Sequence, residues 1–366
     1  MSKKFLIILT LLLIMGCTTA KKEKIQTVFY PTPPQYPKLQ FLISITSEEN
    51  IGKERDSFRE FVLGRAERFK AIARPFDIDS TPGKIYISDR TFNKILIVDL
   101  DKKEFDYIRD EKGGQLQKPA GLWITPDGKK YIADQERKQI VVFDEENKFL
   151  KAYGSEGQFE KPLDVAVYDN RMYVCDFDKN HIAVVDLESG ETMHTIGEAG
   201  EEEGKFIRPT HITVDQGGYL YVTDSFNFRI QKLDYNGKFE KKFGYQGDTL
   251  GGFARPKGIA VDKEGFLYTV DTAFENVQIF DPESALLMLF FGGFGRNPGN
   301  MYLPNGIHID YNNIKYFQEY VDKDFSIKYL VYVANQLGDH KINVYGFGEW
   351  IGEPLPGVPR RKIKLD

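Results

Sequence analysis

The chain has 366 residues, of which 41% are hydrophobic and 28% are charged, and its formal net charge is −5 at pH 7. An acidic chain argues against a nucleic-acid partner, because binding to a phosphate backbone rests on lysine and arginine contacts. Beyond the N-terminal segment, no apolar stretch approaches the ~20 residues that a membrane-spanning helix needs. The body is therefore expected to lie outside the bilayer.

The first 17 residues are typical of a secretory signal. Lys3 and Lys4 precede an apolar run over residues 5–15, which is too short to span a membrane. The run leads into IMGC at 14–17, which resembles the lipobox of bacterial lipoproteins and implies cleavage before Cys17 and acylation of this residue. The alternative is an ordinary signal peptide with a chance cysteine. An aspartate directly after the acylated cysteine is the usual signal for retention in the inner membrane, and this chain has Thr18 at that position. We therefore expect a lipid-anchored envelope protein of the outer membrane.

Residues 18–37 are polar and then proline-rich, with KKEK followed by YPTPPQYP, and are predicted to form an extended tether. If Cys17 is acylated, Cys175 has no partner for a disulfide. Cys175 lies in the strand-like run RMYVCD at 171–176, so we expect a small buried side chain rather than a reactive thiol.

Six similar units follow at a spacing of 43 to 48 residues. A typical unit opens with RPKGIAVD at 255–262, continues with FLYTVD at 266–271 and adds a third run, NVQIFD, at 276–281. Short runs that are rich in β-branched and aromatic residues and broken by turn residues predict strands. Four short strands per unit at this spacing predict an all-β fold, a six-bladed β-propeller.

These runs, together with the FGGFG loop at 291–295, resemble the NHL repeat, and the resemblance covers about residues 38–348. It implies six blades around a central channel. It does not imply one activity, because NHL propellers serve as interaction modules, as sensors and, less often, as enzymes.

Closure of the ring can be inferred from blade 6, because no fourth strand follows KINVYGFGEW at 341–350. The early run QFLISIT at 40–46 has no blade of its own, so we predict that this N-terminal strand is the outer strand of the last blade. Residues 54–63 predict a short helix that packs against the propeller. Residues 38–366 are thus expected to form one propeller domain.

Catalytic patterns such as HExxH, GxSxG and CxxC do not occur in the sequence. Asp77, Asp164 and His211 hold equivalent positions in their first strands, and Asn305 lies one residue earlier in blade 6, so we expect all four at the channel mouth. His308 lies further along its strand. A zinc lyase site needs several converging histidines, whereas oxygen ligands suit calcium. We therefore expect no cofactor, with calcium in the channel as the alternative.

Acids and bases recur together in the repeats. Five blades end the second strand with an aspartate and carry a base before the proline of the first strand, whereas blade 6 has Asn335 and Leu303 there. Because the acid and the base occur together in five blades and are both absent from blade 6, we predict that the two side chains form an ion pair within each of the five blades. The acids are Asp89, Asp134, Asp176, Asp224 and Asp271, and the bases are Arg74, Lys118, Lys161, Arg208 and Arg255.

Blade 6 also carries an insertion at about residues 311–328, between its first and second strands, where other blades have tight turns. Aromatic residues mixed with charges are typical of binding interfaces. The alternative is that the rings cap blade 6 or brace the closing strand. The aromatic residues are Tyr311, Tyr316, Phe317, Tyr320 and Phe325.

Three functions remain open at this point. The favoured one is a membrane-anchored protein-interaction module or scaffold in the cell envelope, whose partner would be an envelope protein or a small ligand. The second is a metal-dependent hydrolase or lyase with its site in the central channel, similar to propeller lactonases or the amidating lyase. The third is a sensor of a small ligand.

Overall fold

The structure is a computed structural model that describes residues 27–54, 68–109 and 113–355. The predicted signal, Cys17 and most of the predicted tether lie outside these ranges, as does the helix predicted at 54–63 except for its first residue. In the described part of the chain, no helix combines the length and the apolar character that crossing a membrane requires.

The described strands form six antiparallel sheets, which are the blades of a β-propeller around one axis. Blade 1 consists of β3 (Pro75–Thr81), β4 (Lys84–Asp89), β5 (Lys94–Asp99) and β6 (Glu104–Tyr107). Blade 2 consists of β7 (Pro119–Ile124), β8 (Lys130–Asp134), β9 (Gln139–Phe143) and β10 (Phe149–Tyr153). Blade 3 consists of β11 (Pro162–Tyr168), β12 (Arg171–Asp176), β13 (His181–Asp186) and β14 (Thr192–Ile196).

Blade 4 consists of β15 (Pro209–Val214), β16 (Leu220–Asp224), β17 (Arg229–Leu233) and β18 (Phe239–Phe243). Blade 5 consists of β19 (Pro256–Val261), β20 (Leu267–Asp271), β21 (Asn276–Phe280) and β22 (Leu287–Gly292). Blade 6 consists of β23 (Pro304–Asp310), β24 (Phe325–Asn335) and β25 (Ile342–Trp350), together with β2 (Leu39–Ile45) and β1 (Val28–Tyr30). Short 3-10 helices cover Glu48–Ile51, Ser225–Asn227 and Ile314–Tyr320.

The core lies between neighbouring blades, because each sheet buries apolar residues on both faces. Ile78 and Val98 of blade 1, for example, belong to the same buried cluster as Leu330 of blade 6. Every second strand adds a tyrosine to this core, which explains why tyrosine recurs at one position of the repeat. These tyrosines are at most 5% exposed: Tyr86, Tyr131, Tyr173, Tyr221, Tyr268 and Tyr332.

The ring closes as the sequence predicts. Strand β2 pairs antiparallel with β25 of blade 6, with Leu39 opposite Phe347 and Ile45 opposite Ile342. Strand β1 then pairs with β2 and gives blade 6 a fifth strand. The tether prediction was wrong for β1, because Phe29 packs its ring 5.6 Å from Phe325 and leaves only 9% of its surface exposed. The polar and proline-rich composition of residues 18–37 gave no sign of the three-residue strand Val28–Tyr30, which buries the ring of Phe29.

The acids that end the second strands are structural, but the predicted side-chain partner is wrong. Asp134 is fully buried and accepts hydrogen bonds from the backbone N–H groups of Gln117 (2.7 Å), Lys118 (3.0 Å) and Arg137 (3.1 Å). Asp89, Asp176 and Asp271 accept backbone hydrogen bonds from the corresponding residues of their blades. Each carboxylate therefore joins the start of its blade to the loop after the second strand.

The base side chains point elsewhere. Lys118 contacts the exposed Glu136 at 2.8 Å, and Arg208 lies over the ring of Phe226. Asp224 does form an ion pair, with Arg229 of the third strand at 2.9 Å. The bases are thus free of the buried acids and lie on the face where the second strands end, which we call the upper face. The turns between first and second strands define the lower face.

Candidate binding sites at the two ends of the channel

The four residues predicted at the channel mouth do converge, and they are buried at the upper end of the channel. Asp77, Asp164, His211 and Asn305 are each at most 7% exposed. The Asn305 amide lies 3.3 Å from Nε2 of His211, across the channel from blade 6 to blade 4. The ring of His211 stacks on Phe76 of blade 1, with 5.8 Å between the centroids.

Their polar atoms join neighbouring blades. Asp77 accepts a 2.8 Å hydrogen bond from the backbone N–H of Leu122 in blade 2, and Asp164 accepts one of the same length from blade 4. Gly121 makes room for this arrangement, because a Cβ there would lie 1.9 Å from Oδ1 of Asp164. Asn305 donates to the carbonyl of Phe76 at 2.8 Å. These side chains therefore position the innermost strands.

Burial controls the protonation of this layer. It raises the pKa of Asp77 to about 7 and raises that of Asp164 well above its ordinary value, with the charge of Asp77 as the next cause. Burial also lowers the pKa of His211 well below its ordinary value. Calcium needs six to eight oxygen ligands. Within residues 27–54, 68–109 and 113–355, no group of three or more His, Cys, Asp or Glu side chains is placed to hold a metal ion.

A group of cations lies on the upper face above this layer. Arg74, Arg90, Arg255 and Lys257, here called the cationic cluster, form no salt bridge among the described residues, and Arg74 and Arg255 are exposed. Burial and then the charge of Arg74 lower the pKa of Arg90 to about 9. Burial and then the charges of Arg255 and Arg90 lower the pKa of Lys257 to about 8. The cations therefore repel one another, and the charge that opposes them at Arg90 is that of the buried Asp77.

Arg90 is the centre of this cluster. Its guanidinium lies 3.4 Å above the centroid of Phe76, which fixes the plane of the group. Nε and Nη2 are buried, and neither finds a hydrogen-bond acceptor among the described residues. Nδ1 of His211 likewise has no partner there. Unpaired buried donors cost ~1–3 kcal/mol each, and more when charged, so these atoms are available to an acceptor that comes from outside the chain.

The lower end of the channel holds a second group of polar residues that the sequence analysis did not assign. His308 of β23 lies between Asp79 and Ser80 of β3, with Nδ1 3.2 Å from Oδ1 of Asp79 and Nε2 2.9 Å from Oγ of Ser80. Asp79 also accepts a 2.7 Å hydrogen bond from the backbone N–H of Ile124. Burial raises the pKa of Asp79, whereas the neighbouring His308 lowers it.

A cavity of about 740 Å³ opens beside these residues toward the lower face. A smaller cavity of about 270 Å³ continues inside the channel, and Asp79, Trp123 and His308 line both. Nε1 of Trp123 is buried and has no hydrogen-bond partner in the described ranges. Trp123, which keeps this unpaired donor, thus lines the lower cavity together with Ser80, His308 and Asp79.

The insertion of blade 6 packs its aromatic residues against the protein. Phe317 and Phe325 are each 3% exposed, and the ring of Tyr311 lies 5.0 Å from that of Tyr329. Tyr316 donates a 2.6 Å hydrogen bond from its hydroxyl to Asp101 of blade 1.

The same insertion holds the closing strand. The carbonyl of Tyr320 accepts a hydrogen bond from Nε2 of Gln40 at 2.9 Å, and Asp322 donates its backbone N–H to Oε1 of Gln40 at 3.0 Å. These contacts support the bracing alternative for the aromatic residues. Binding of a partner at this loop stays a prediction.

Comparison with known proteins agrees with the observed blades. Residues 155–236 match a protein family described as a 6-bladed beta-propeller. NHL repeat-containing protein 3 of Homo sapiens is 26% identical over 178 residues, which cover 43% of this chain and 50% of that protein. The chain is a six-bladed β-propeller, and its repeats are similar to NHL repeats.

Other relatives of this propeller carry different functions in their names. A probable peptidyl-alpha-hydroxyglycine alpha-amidating lyase of Caenorhabditis elegans is 29% identical over 105 residues, covering 27% of this chain and 30% of the lyase. Protein brain tumor of Drosophila melanogaster is 29% identical over 140 residues, covering 36% of this chain and 13% of that protein. The matches therefore span half or less of the length of these curated relatives.

Solved structures show the same fold. A protein of unknown function from Bacteroides thetaiotaomicron superimposes with a TM-score of 0.59 at 17% identity, covering 84% of this chain and 75% of that one. Virginiamycin B lyase of Staphylococcus aureus superimposes with a TM-score of 0.51 at 16% identity, covering 77% and 83%. At these identities the likeness concerns the fold alone.

Proposed function

We propose that this propeller is a binding module of the cell envelope that holds an acidic partner on its upper face. The observation that carries the proposal is Arg90, whose buried Nε and Nη2 lack an acceptor in the described part of the chain while three further cations lie around it. A carboxylate or phosphate of a partner would accept hydrogen bonds from the guanidinium fork and add negative charge to a cluster in which the cations outnumber the acids.

The arrangement favours recognition over general attraction. Stacking on Phe76 holds the guanidinium in one orientation before the partner arrives, so less conformational entropy is lost on binding. Exposed Arg74 and Arg255 flank the centre and would attract an acidic surface from a distance, in a manner that depends on salt. A small anionic ligand would use the same atoms, which keeps the sensor hypothesis open.

Binding of hexaglutamate peptide to the chain with Cys17→Ser tests the proposal. We expect the pair Arg90→Gln and Lys257→Gln to weaken binding about a hundredfold or more, since desolvated charge pairs contribute ~1.5 kcal/mol or more each. The matched control is Lys118→Gln with Lys161→Gln, which removes the same charge from the same face. These lysines already contact Glu136 and Asp178, so a smaller loss is expected.

If the variant with Arg90→Gln and Lys257→Gln binds hexaglutamate as tightly as the protein with both residues intact, the proposal is refuted. It is also refuted if this variant and the lysine control lose the same affinity. If inorganic phosphate saturates the site and hexaglutamate does not compete with it, the function is the sensing of a small anion instead of the binding of an acidic partner.

The place of the module in the envelope rests on Cys17. The lipobox-like run at 14–17 supports acylation of Cys17, and the first described strand begins at Val28, which leaves a short segment between the anchor and the propeller. We expect mass spectrometry to find acyl groups on Cys17 and Cys17→Ser to release the protein from the membrane fraction. A Cys17→Ser protein that stays in that fraction would contradict the anchor.

The metal-dependent alternative finds less support. The carboxylates of Asp77 and Asp164 bind backbone N–H groups of the next blades, and His211 lies against Asn305. Among the residues that the structure describes, this layer does not assemble the ligand set of a lactonase-like or amidating-lyase-like centre.

A further inference from the structure

We propose that Ser80, His308 and Asp79 form a nucleophile, a general base and a positioning acid that hydrolyse carboxylic esters at the lower end of the channel. This inference is independent of the upper face, because it rests on different residues at the opposite end of the propeller.

The geometry matches the order of groups that activates a serine. Nε2 of His308 lies 2.9 Å from Oγ of Ser80, and Nδ1 of His308 lies 3.2 Å from Oδ1 of Asp79. The carboxylate of Asp79 beside Nδ1 favours the tautomer with the proton on that nitrogen, because a carboxylate accepts and does not donate. Nε2 is then the acceptor for the hydroxyl proton of Ser80, which is the role of a general base.

Surrounding contacts fix each member of the chain. The backbone N–H groups of Ile124 and Ser80 hold the carboxylate of Asp79 at 2.7 and 2.6 Å. The ring of His308 stacks on that of Tyr332, which is fully buried, at 6.3 Å between centroids and 8° between planes. Orientation by a rigid environment is what an activated nucleophile requires.

The cavity supplies the remaining parts of such a site. Ser80, Trp123, His308 and Tyr311 line the space of about 740 Å³ at the lower face. Nε1 of Trp123 lacks a partner among the described residues and is the candidate donor to an oxyanion. Aromatic and apolar side chains line part of the same cavity, which suits an uncharged ester with a small acyl group.

The reaction needs only ester and water. Oγ of Ser80 bonds to the carbonyl carbon while its proton passes to Nε2 of His308. The ester C–O bond then breaks, and the alcohol leaves with that proton. Water attacks the acyl-Ser80 and gives one proton through His308 to Oγ, which releases the carboxylic acid. Asp79 stabilises the imidazolium in both steps and does not itself transfer a proton.

The same contacts would also serve a structural role, because they join blade 6 to blade 1. The two roles differ in the reactivity of Ser80. A hydroxyl that only bridges blades does not react with a fluorophosphonate probe, whereas an activated nucleophile forms a stable covalent adduct.

The experiment combines fluorophosphonate labelling with hydrolysis of p-nitrophenyl acetate on the chain with Cys17→Ser. We expect one label per chain on Ser80, and loss of label and hydrolysis in Ser80→Ala with the melting temperature retained. Ser189→Ala, at an exposed turn, is the control and should label fully. Asp79→Asn should lower kcat by roughly 10²-fold or more and leave KM within about threefold, since it misplaces the histidine tautomer.

Absence of labelling in the chain with intact Ser80 would overturn the proposal, and so would equal labelling in Ser80→Ala. A change of KM alone in Asp79→Asn would refute the positioning role. The peptide mapping of the label distinguishes Ser80 from any other serine, so each outcome decides the assignment.

Discussion

Replacing Asp134 with alanine is expected to lower the free energy of unfolding by about 3 kcal/mol or more, because three backbone donors would lose their acceptor at ~1–3 kcal/mol each. Asp134 is fully buried and accepts from the N–H groups of Gln117, Lys118 and Arg137. At about 2 °C per kcal/mol for a chain of this size, the melting temperature should fall by roughly 6 °C or more.

The matched control is Lys118→Gln. Among the described residues, the ammonium of Lys118 contacts only the exposed Glu136, and exposed pairs contribute at most ~1 kcal/mol. Its backbone N–H, which Asp134 binds, remains in the glutamine variant. A loss in Lys118→Gln as large as that in Asp134→Ala would restore the ion-pair prediction and contradict the backbone role of the acid. Urea unfolding of both variants provides the comparison.

Removal of the closing strand is expected to have the largest effect on the fold. A chain that begins at residue 47 lacks β2, whose Leu39, Phe41, Leu42 and Ile45 are at most 4% exposed. Burial of each such side chain contributes ~1.5–3 kcal/mol, so their sum rivals the ~5–15 kcal/mol by which a domain is stable. We expect this chain to show no cooperative unfolding transition by circular dichroism.

A chain that begins at residue 27 is the control for this truncation, since it keeps β1 and β2 and should unfold cooperatively. A synthetic peptide of residues 27–46 should restore a transition to the shorter chain, because the strand would pair with β25. If the chain from residue 47 melts at the temperature of the control, the N-terminal strand does not close the ring.

The blades and their closure were predictable because each depends on a local pattern. Proline-led runs, short apolar strands and turn residues recur along the chain, and QFLISIT stands out as an apolar strand without a unit. The short strand Val28–Tyr30 escaped notice because its neighbours are polar and proline-rich. Burial of a single ring, that of Phe29, holds this strand against the blade. The average composition of a sequence window does not detect the contribution of one residue.

Partners across the repeats were harder to predict. Co-occurrence of acid and base indicated correctly that Asp134 lies near Lys118, but it did not tell the ammonium of Lys118 from its backbone N–H. The contact between Ser80 and His308 joins residues 228 positions apart, and it depends on how the ring closes. The sequence did contain a signal for this contact. Asp79 and Ser80 are neighbours in the first strand of blade 1, and His308 lies in the first strand of blade 6.

The site at Arg90 was missed for a related reason. Arg90 directly follows Asp89, the acid that recurs in the repeats, and its sequence context is that of an ordinary loop residue. Its importance comes from the lack of an acceptor for its donors in the described structure and from the ring of Phe76 beneath it. Neither property can be inferred from the type of residue alone, because each depends on which groups the six innermost strands bring to the axis.

The pKa of Lys257 tests the central claim most directly, because it reports the repulsion within the cationic cluster and its relief by a bound anion. Burial and the neighbouring Arg255 and Arg90 lower this pKa to about 8 in the free protein, so an NMR titration of the Lys257 side chain should find it there. Saturation with hexaglutamate should raise it toward the ordinary value of about 10.4, since a bound anion favours the charged amine. A Lys257 that titrates at its ordinary value in the free protein, or whose low pKa is unchanged by the peptide, would contradict the binding of an acidic partner at this cluster.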